Sequence, residues 1–193
     1  MKILNISKEV GLFLLKLSYS TLEHFFSTGK KLEVPESELL NGELKEKRGT
    51  FVTLQKHGEL RGCIGHIEPI QTIYQDIVEN TLSAAFEDPR FEPLTQDELK
   101  DIDIEISVLT NPEKLNYSSV DELLAKLRPN IDGVIIKKGR RGATYLPQVW
   151  EDLSDKNEFL SSLCLKAGLE EGEWRKGKLE VKTYQAEHIS HNT

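Results

Sequence analysis

"HGELRGCIGHIEP", residues 57–69, sets an arginine, a cysteine and two glycines into a run that otherwise reads as an apolar strand. Glycine in a strand gives up side-chain packing and backbone entropy, so Gly62 and Gly65 need a reason. The preceding residues 50–56, "TFVTLQK", read as a partner strand, with His57-Gly58 as the turn of a hairpin. A two-residue turn sets Val52 opposite Cys63 and Leu54 opposite Arg61. Alternation then puts Arg61, Cys63 and Gly65 on one face and Gly62, Ile64 and His66 on the other. The guanidinium and the thiol become same-side neighbours, and a nearby cation favours thiolate over thiol. Flanking glycines let a ligand or another backbone approach closely. An arginine inside such a strand needs a carboxylate partner or a ligand.

Outward from the hairpin, Ile70, Ile73, Tyr74, Ile77, Val78, Thr81, Leu82 and Ala85 follow helical spacing over 70–86. Pro89 ends that helix near Asp88. Upstream, Val10, Phe13, Leu14, Leu17, Thr21 and Phe25 form one helical stripe, and Leu12, Leu15, Tyr19, Leu22 and Phe26 a second. Ser7 is placed to cap this helix and Gly29 to end it. The apolar stretch from Val10 to Leu15 lies between Glu9 and Lys16 and is shorter than a signal-peptide core, so the segment reads as a core helix. No segment is long enough to span a bilayer. A charged connection with Pro35 and Gly42 as punctuation links this helix to the hairpin.

Downstream, "DIDIEISVL" (101–109) alternates strictly. Ile102, Ile104, Ile106 and Val108 face a core, while Asp103, Glu105 and Ser107 face the other way, as in an antiparallel strand with one solvated side. A helix over 120–127, a hairpin over 132–147, helices over 148–153 and 157–167, and a closing strand, "KLEVKTYQAEHI" (178–189), complete the chain. The class is α+β: mostly antiparallel sheet with packed helices.

The chain has 193 residues, 38% hydrophobic and 30% charged, the composition of an ordinary soluble globular protein. A net charge of −7 argues against phosphate-backbone binding, so nucleic acid is not the expected partner. Two cysteines cannot build a disulfide framework, which points to reduced thiols in a cytoplasm.

Other motifs carry less chemistry. Cys63-x-x-His66 has half-site metal spacing, but strand positions three apart face opposite ways, and His24, His57, His188 and His191 are dispersed. No metal and no cofactor is expected. Neither a G-x-S-x-G nucleophile elbow nor a glycine-rich phosphate loop is present. "DPRF" (88–91) reads as a helix stop with a local Asp88–Arg90 ion pair, or as Arg90 lining the same site as Arg61. Lys137, Lys138, Arg140 and Arg141 read as a solvated hairpin tip. Cys164 reads as core and Trp150 as packing.

"LRGCIG" (60–65) resembles the signature of the AMMECR domain family, a widespread group without an established biochemical activity. "AAFEDPRFEPLTQDEL" (84–99), "IEISVLTNPEKL" (104–115), "DGVIIKKGRRGATYLPQVW" (132–150) and "FLSSLCLKAGL" (159–169) are similar to that family's later blocks, in the same order. The resemblance implies one AMMECR-type domain over 1–193, made of two α+β subdomains discontinuous in sequence. It also implies that the LRGCIG-like strand lies near a cleft between them. The family occurs beside, or fused to, Memo-like domains and radical S-adenosylmethionine proteins. Combined with the residues, the expected site has Cys63 as nucleophile or contact residue and Arg61, Gly62, Gly65 and Arg90 as ligand contacts. It would take a small anionic ligand or modified group, with thiol-dependent catalysis open. The alternative is a non-catalytic module docking a partner enzyme of the Memo-like or radical S-adenosylmethionine type.

Overall fold

The computed structural model describes residues 6–35, 39 and 42–191. The first helix, α1 (Lys8–Thr28), begins where the Ser7 side chain accepts from the Val10 N–H. It ends where Gly29 turns left-handed at φ 69° and donates to the Phe25 carbonyl. Both ends are local chemistry, which is why the sequence pattern locates them. The residues before Ile6, and the middle of the charged connection, lie outside the described residues.

Strands β1 (Thr50–Lys56) and β2 (Glu59–His66) form the expected hairpin. Its turn residues His57 and Gly58 both have positive φ, 54° and 83°. That geometry matches the twist of two-residue hairpins. Helix α2 (Ile73–Phe86) follows, opened by a Thr72/Gln75 capping box, and leaves Ile70 outside it and exposed. A 3-10 turn (Gln96–Asp101) leads into β3 (Ile102–Leu109).

The chain divides into two compact units, residues 1–111 with 187–193, and residues 112–186. In the first unit the sheet order is β2-β1-β3-β8, with β8 at Ala186–Ile189, so β2 is an edge strand. Helices α1 and α2 bury Leu14, Leu15, Leu22 and Ile77 against Val52, Leu54, Ile104 and Ile106. The alternation of β3 is realised: Ile102, Ile104, Ile106 and Val108 are buried, and Asp103 is exposed. Ser107 departs from its expected solvated face; it is buried and bonded to His188 Nδ1 at 3.1 Å.

The second unit holds the sheet β4-β7-β5-β6. Its strands are β4 (Glu113–Lys114), β5 (Gly133–Lys138), β6 (Arg141–Tyr145) and β7 (Glu180–Tyr184). Helices α3 (Val120–Lys126), α4 (Val149–Asp152) and α5 (Lys156–Lys166) accompany it. Trp150 stacks on Phe159 with ring centroids 3.6 Å apart, and its indole N–H donates to the Asp132 carbonyl at 2.7 Å. Cys164 is fully buried in this core, and burial pushes its thiol pKa up. The closing strand of the sequence reading is two strands, β7 and β8, in different sheets. β7 ends at Tyr184 and β8 begins at Ala186, so the chain leaves one sheet at Gln185 and enters the other.

Candidate functional site

The hairpin register departs from simple alternation at one residue. Gln55 pairs with Leu60, but Leu54 pairs with Gly62, so Arg61 is the extra residue of a β-bulge. Beyond it, Thr53, not Val52, lies opposite Cys63, and Thr50 lies opposite His66. The bulge leaves Arg61 without the expected partner Leu54 and moves the partner of Cys63 by one position.

The bulge also re-aims the arginine. Arg61 Nε donates to Glu98 Oε1 at 3.1 Å and its Nη2 to Glu98 Oε2 at 3.1 Å, a two-bonded pair with only 15% and 18% of the side chains exposed. Nη2 also reaches the Pro93 carbonyl at 3.4 Å, and Lys56 Nζ joins Glu98 at 3.0 Å. Glu98 takes two further bonds from the Thr95 N–H and hydroxyl. Arg61, above all, holds the Glu98 carboxyl well below the usual carboxylate range. The partner that a strand arginine needs is therefore Glu98. The Thr95-x-x-Glu98 capping-box spacing is the sequence signal that could have marked this carboxylate as placed.

The guanidinium beside Cys63 belongs to Arg90. β2 has no strand on its outer edge, and Asp88 and Arg90 take that place. Asp88 Oδ2 accepts the Cys63 N–H at 2.9 Å, and Arg90 Nη2 donates to the Cys63 carbonyl at 3.4 Å. Asp88 Oδ2 and Oδ1 also take Arg90 Nη2 and Nε at 2.6 and 2.9 Å. This pair supplies both bonds that a neighbouring strand would make, and it covers an edge otherwise open to pairing. The Arg90 bonds, then the Cys63 N–H, hold Asp88 far below its ordinary pKa although it is 5% exposed. Both readings of "DPRF" meet here: the pair is local, and it sits on the cysteine.

Cys63 itself is half-buried, and the Thr53 hydroxyl donates to its Sγ at 3.3 Å. The glycines do a different job from the one expected. A Cβ at Gly62 would stand 2.1 Å from the Ala84 carbonyl oxygen of α2. One at Gly65 would stand 2.3 Å from both Phe51 Cγ and the Thr50 carbonyl oxygen. Neither glycine has positive φ. The space they leave is filled by the protein: Gly62 lets α2 close onto β2, and Gly65 lies under the Phe51 ring. The structure thus brings Cys63 and Arg90 together, places Arg61 on Glu98, and gives both glycines to packing. His66 shares no face with Cys63, and among the described residues no three metal-ligating side chains converge.

A two-unit α+β chain with a clamped cysteine on an edge strand belongs to a recognisable group. The AMMECR1 family model matches residues 15–189, and the chain belongs to that family, whose biochemical activity is not established. A protein of Thermofilum pendens is 39% identical, covering 94% of this chain and 90% of its own. Protein MK0488 of Methanopyrus kandleri is 41% identical over 94% of this chain and 88% of its own. The crystal structure of the uncharacterized protein PH0010 from Pyrococcus horikoshii superposes with a TM-score of 0.85 at 35% identity. It covers 95% of this chain and 92% of its own. Among the described residues no helix is long and apolar enough to cross a membrane.

Proposed function

We propose that the chain binds a small anionic ligand or modified group at the outer edge of β2, with the Cys63 sulfur as the contacting atom and the nucleophile of any thiol-dependent step. The observation that carries this reading is the setting of Cys63: a half-exposed thiol, given a hydroxyl donor by Thr53 and held by its backbone on Asp88 and Arg90. A thiol fixed this way needs no rearrangement to meet a ligand, and the Thr53 hydroxyl orients its sulfur. Lys56 and Arg61 meet on one carboxylate, Glu98, beside the bulge. Two free thiols suit a reducing compartment such as the cytoplasm.

A brief iodoacetamide pulse on the native protein, read by mass spectrometry, tests the reading. Cys63 is expected to be alkylated while Cys164 stays unmodified until denaturation. Thr53→Val should slow the Cys63 reaction, and inorganic phosphate should protect it. Equal labelling of the two cysteines, or no effect of both Thr53→Val and phosphate, overturns it.

A further inference from the structure

A second constellation lies on the other face of β2. Asp76, in the first turn of α2, is 2% exposed. Its Oδ2 accepts the Thr50 N–H at 3.1 Å, the Thr50 hydroxyl at 2.6 Å and Asn80 Nδ2 at 3.0 Å. Its Oδ1 is left for Gln71 Nε2 at 3.0 Å and His66 Nδ1 at 3.1 Å. The His66 side chain is 41% exposed. A carboxylate held by three protein donors on one oxygen thus turns the other toward an imidazole that reaches solvent.

We infer that His66 and Asp76 form a proton-transfer dyad. Asp76 holds His66 as the Nδ1–H tautomer, and the bare Nε2 takes a proton from a hydroxyl or water of a substrate. The step is a single proton transfer: the substrate O–H bond breaks, an Nε2–H bond forms, and the imidazolium stays paired with Asp76 at Nδ1. Asp76 acts as a positioning residue, because it acts on the substrate only through the imidazole it holds. Asp76 and Glu79 come from α2, Gln71 bridges the two, and Lys31 pairs with Glu79 at 3.4 Å. Thr50, from β1, is neutral. This dyad shares no side chain with the Cys63 site, so either reading can fail without the other.

Long-range proton–nitrogen NMR of the full chain labelled with 15N-histidine tests it. The His66 signals are assigned by their loss in His66→Asn among the five histidines. At a pH where the ring is neutral, Nδ1 is expected protonated and Nε2 bare. In Asp76→Asn that preference should be lost, and the neutral ring should shift toward the Nε2–H tautomer. Asp76 is buried and its variant can fail to fold, so a second measurement uses the native protein. Diethylpyrocarbonate should modify His66 at Nε2, read by mass spectrometry. An Nε2–H tautomer in the native protein, an imidazolium persisting through alkaline pH, or an unmodified His66 overturns the proposal.

Discussion

Gly65 in the first sheet lies under the Phe51 ring, and Gly133 in the second lies under the Tyr184 ring. In each case glycine and ring are cross-strand partners, and a Cβ on the glycine would stand 2.3 or 2.4 Å from ring atoms. The two units share a device: a strand position without a side chain is filled by an aromatic ring from the neighbouring strand. They differ in what surrounds it. The Tyr184 hydroxyl is buried, donates to the Tyr145 carbonyl at 3.1 Å and meets Thr144 Oγ1 at 2.9 Å. Around Gly65 the polar groups lie along β2, where Asp88 holds Arg90 beside a half-exposed thiol and Glu98 holds Arg61. The second unit keeps its cysteine in the core. The net negative charge also belongs to the first unit, which has 20 acidic and 12 basic residues, whereas residues 112–186 have 12 acidic and 13 basic. The difference teaches that one sheet plan can bury its polar groups or set them along an edge strand, here the one that carries the bulge.

The sharpest way to test this contrast is at the glycines. A Cβ at Gly62 meets the Ala84 backbone oxygen at 2.1 Å, whereas one at Gly142 in β6 stands 3.0 Å from the Ile136 carbonyl oxygen. Gly62→Ala is expected to cost about 3 kcal/mol or more, the upper end for overpacking, because a helix backbone must move. Gly142→Ala should cost clearly less. Denaturant melts with unchanged m decide; equal losses would break the claim that the α2 backbone closes onto β2 at Gly62.

A middle-sized effect is expected at the ion pairs. Arg90→Ala leaves the buried Asp88 with only backbone donors from Cys63 and residue 90, and should cost about 2 kcal/mol, the scale of a lost bond to a charged group. In the second unit Lys138→Ala should cost much less, because Lys176 still pairs with Glu173. Similar losses would show that the β2 edge is no better fixed than a surface pair.

The smallest effects are in pH dependence, and the two units take opposite limbs. Asp88 and Glu98 have depressed pKa values in the folded chain, so their contribution is present above the unfolded values near 4. It is lost as pH falls through the folded values. Tyr184 is raised, its pKa pushed up to about 12 by burial. Its contribution is complete below the unfolded value near 10 and is lost as pH rises toward 12. Asp88→Asn should flatten the acid limb of a stability–pH profile, and Tyr184→Phe the alkaline limb. An acid limb unchanged by Asp88→Asn would remove the β2 edge from the account.

Helix α1 was readable to its last residue because its ends are set by Ser7 and Gly29 within one turn of the chain. The His57-Gly58 turn and the buried stripe of β3 were equally local, as were Cys164 and Trp150 as core. The resemblance carried by "LRGCIG" and the later blocks identified the family from residues alone. What the chain order left undetermined was decided across strands. A bulge at Arg61 depends on how β2 fits both β1 and α2, and Gly62 stands there because the Ala84 carbonyl arrives from α2. Glu98 and Asp88, 37 and 25 residues from the groups they bind, find Arg61 and Cys63 only when the loop after α2 folds back along the sheet. The same holds for Asp76 and His66, which share a face only once α2 packs on the hairpin. Periodicity and caps act within a few residues, whereas a buried carboxylate chooses its partners from whatever donors the completed fold brings within hydrogen-bond reach.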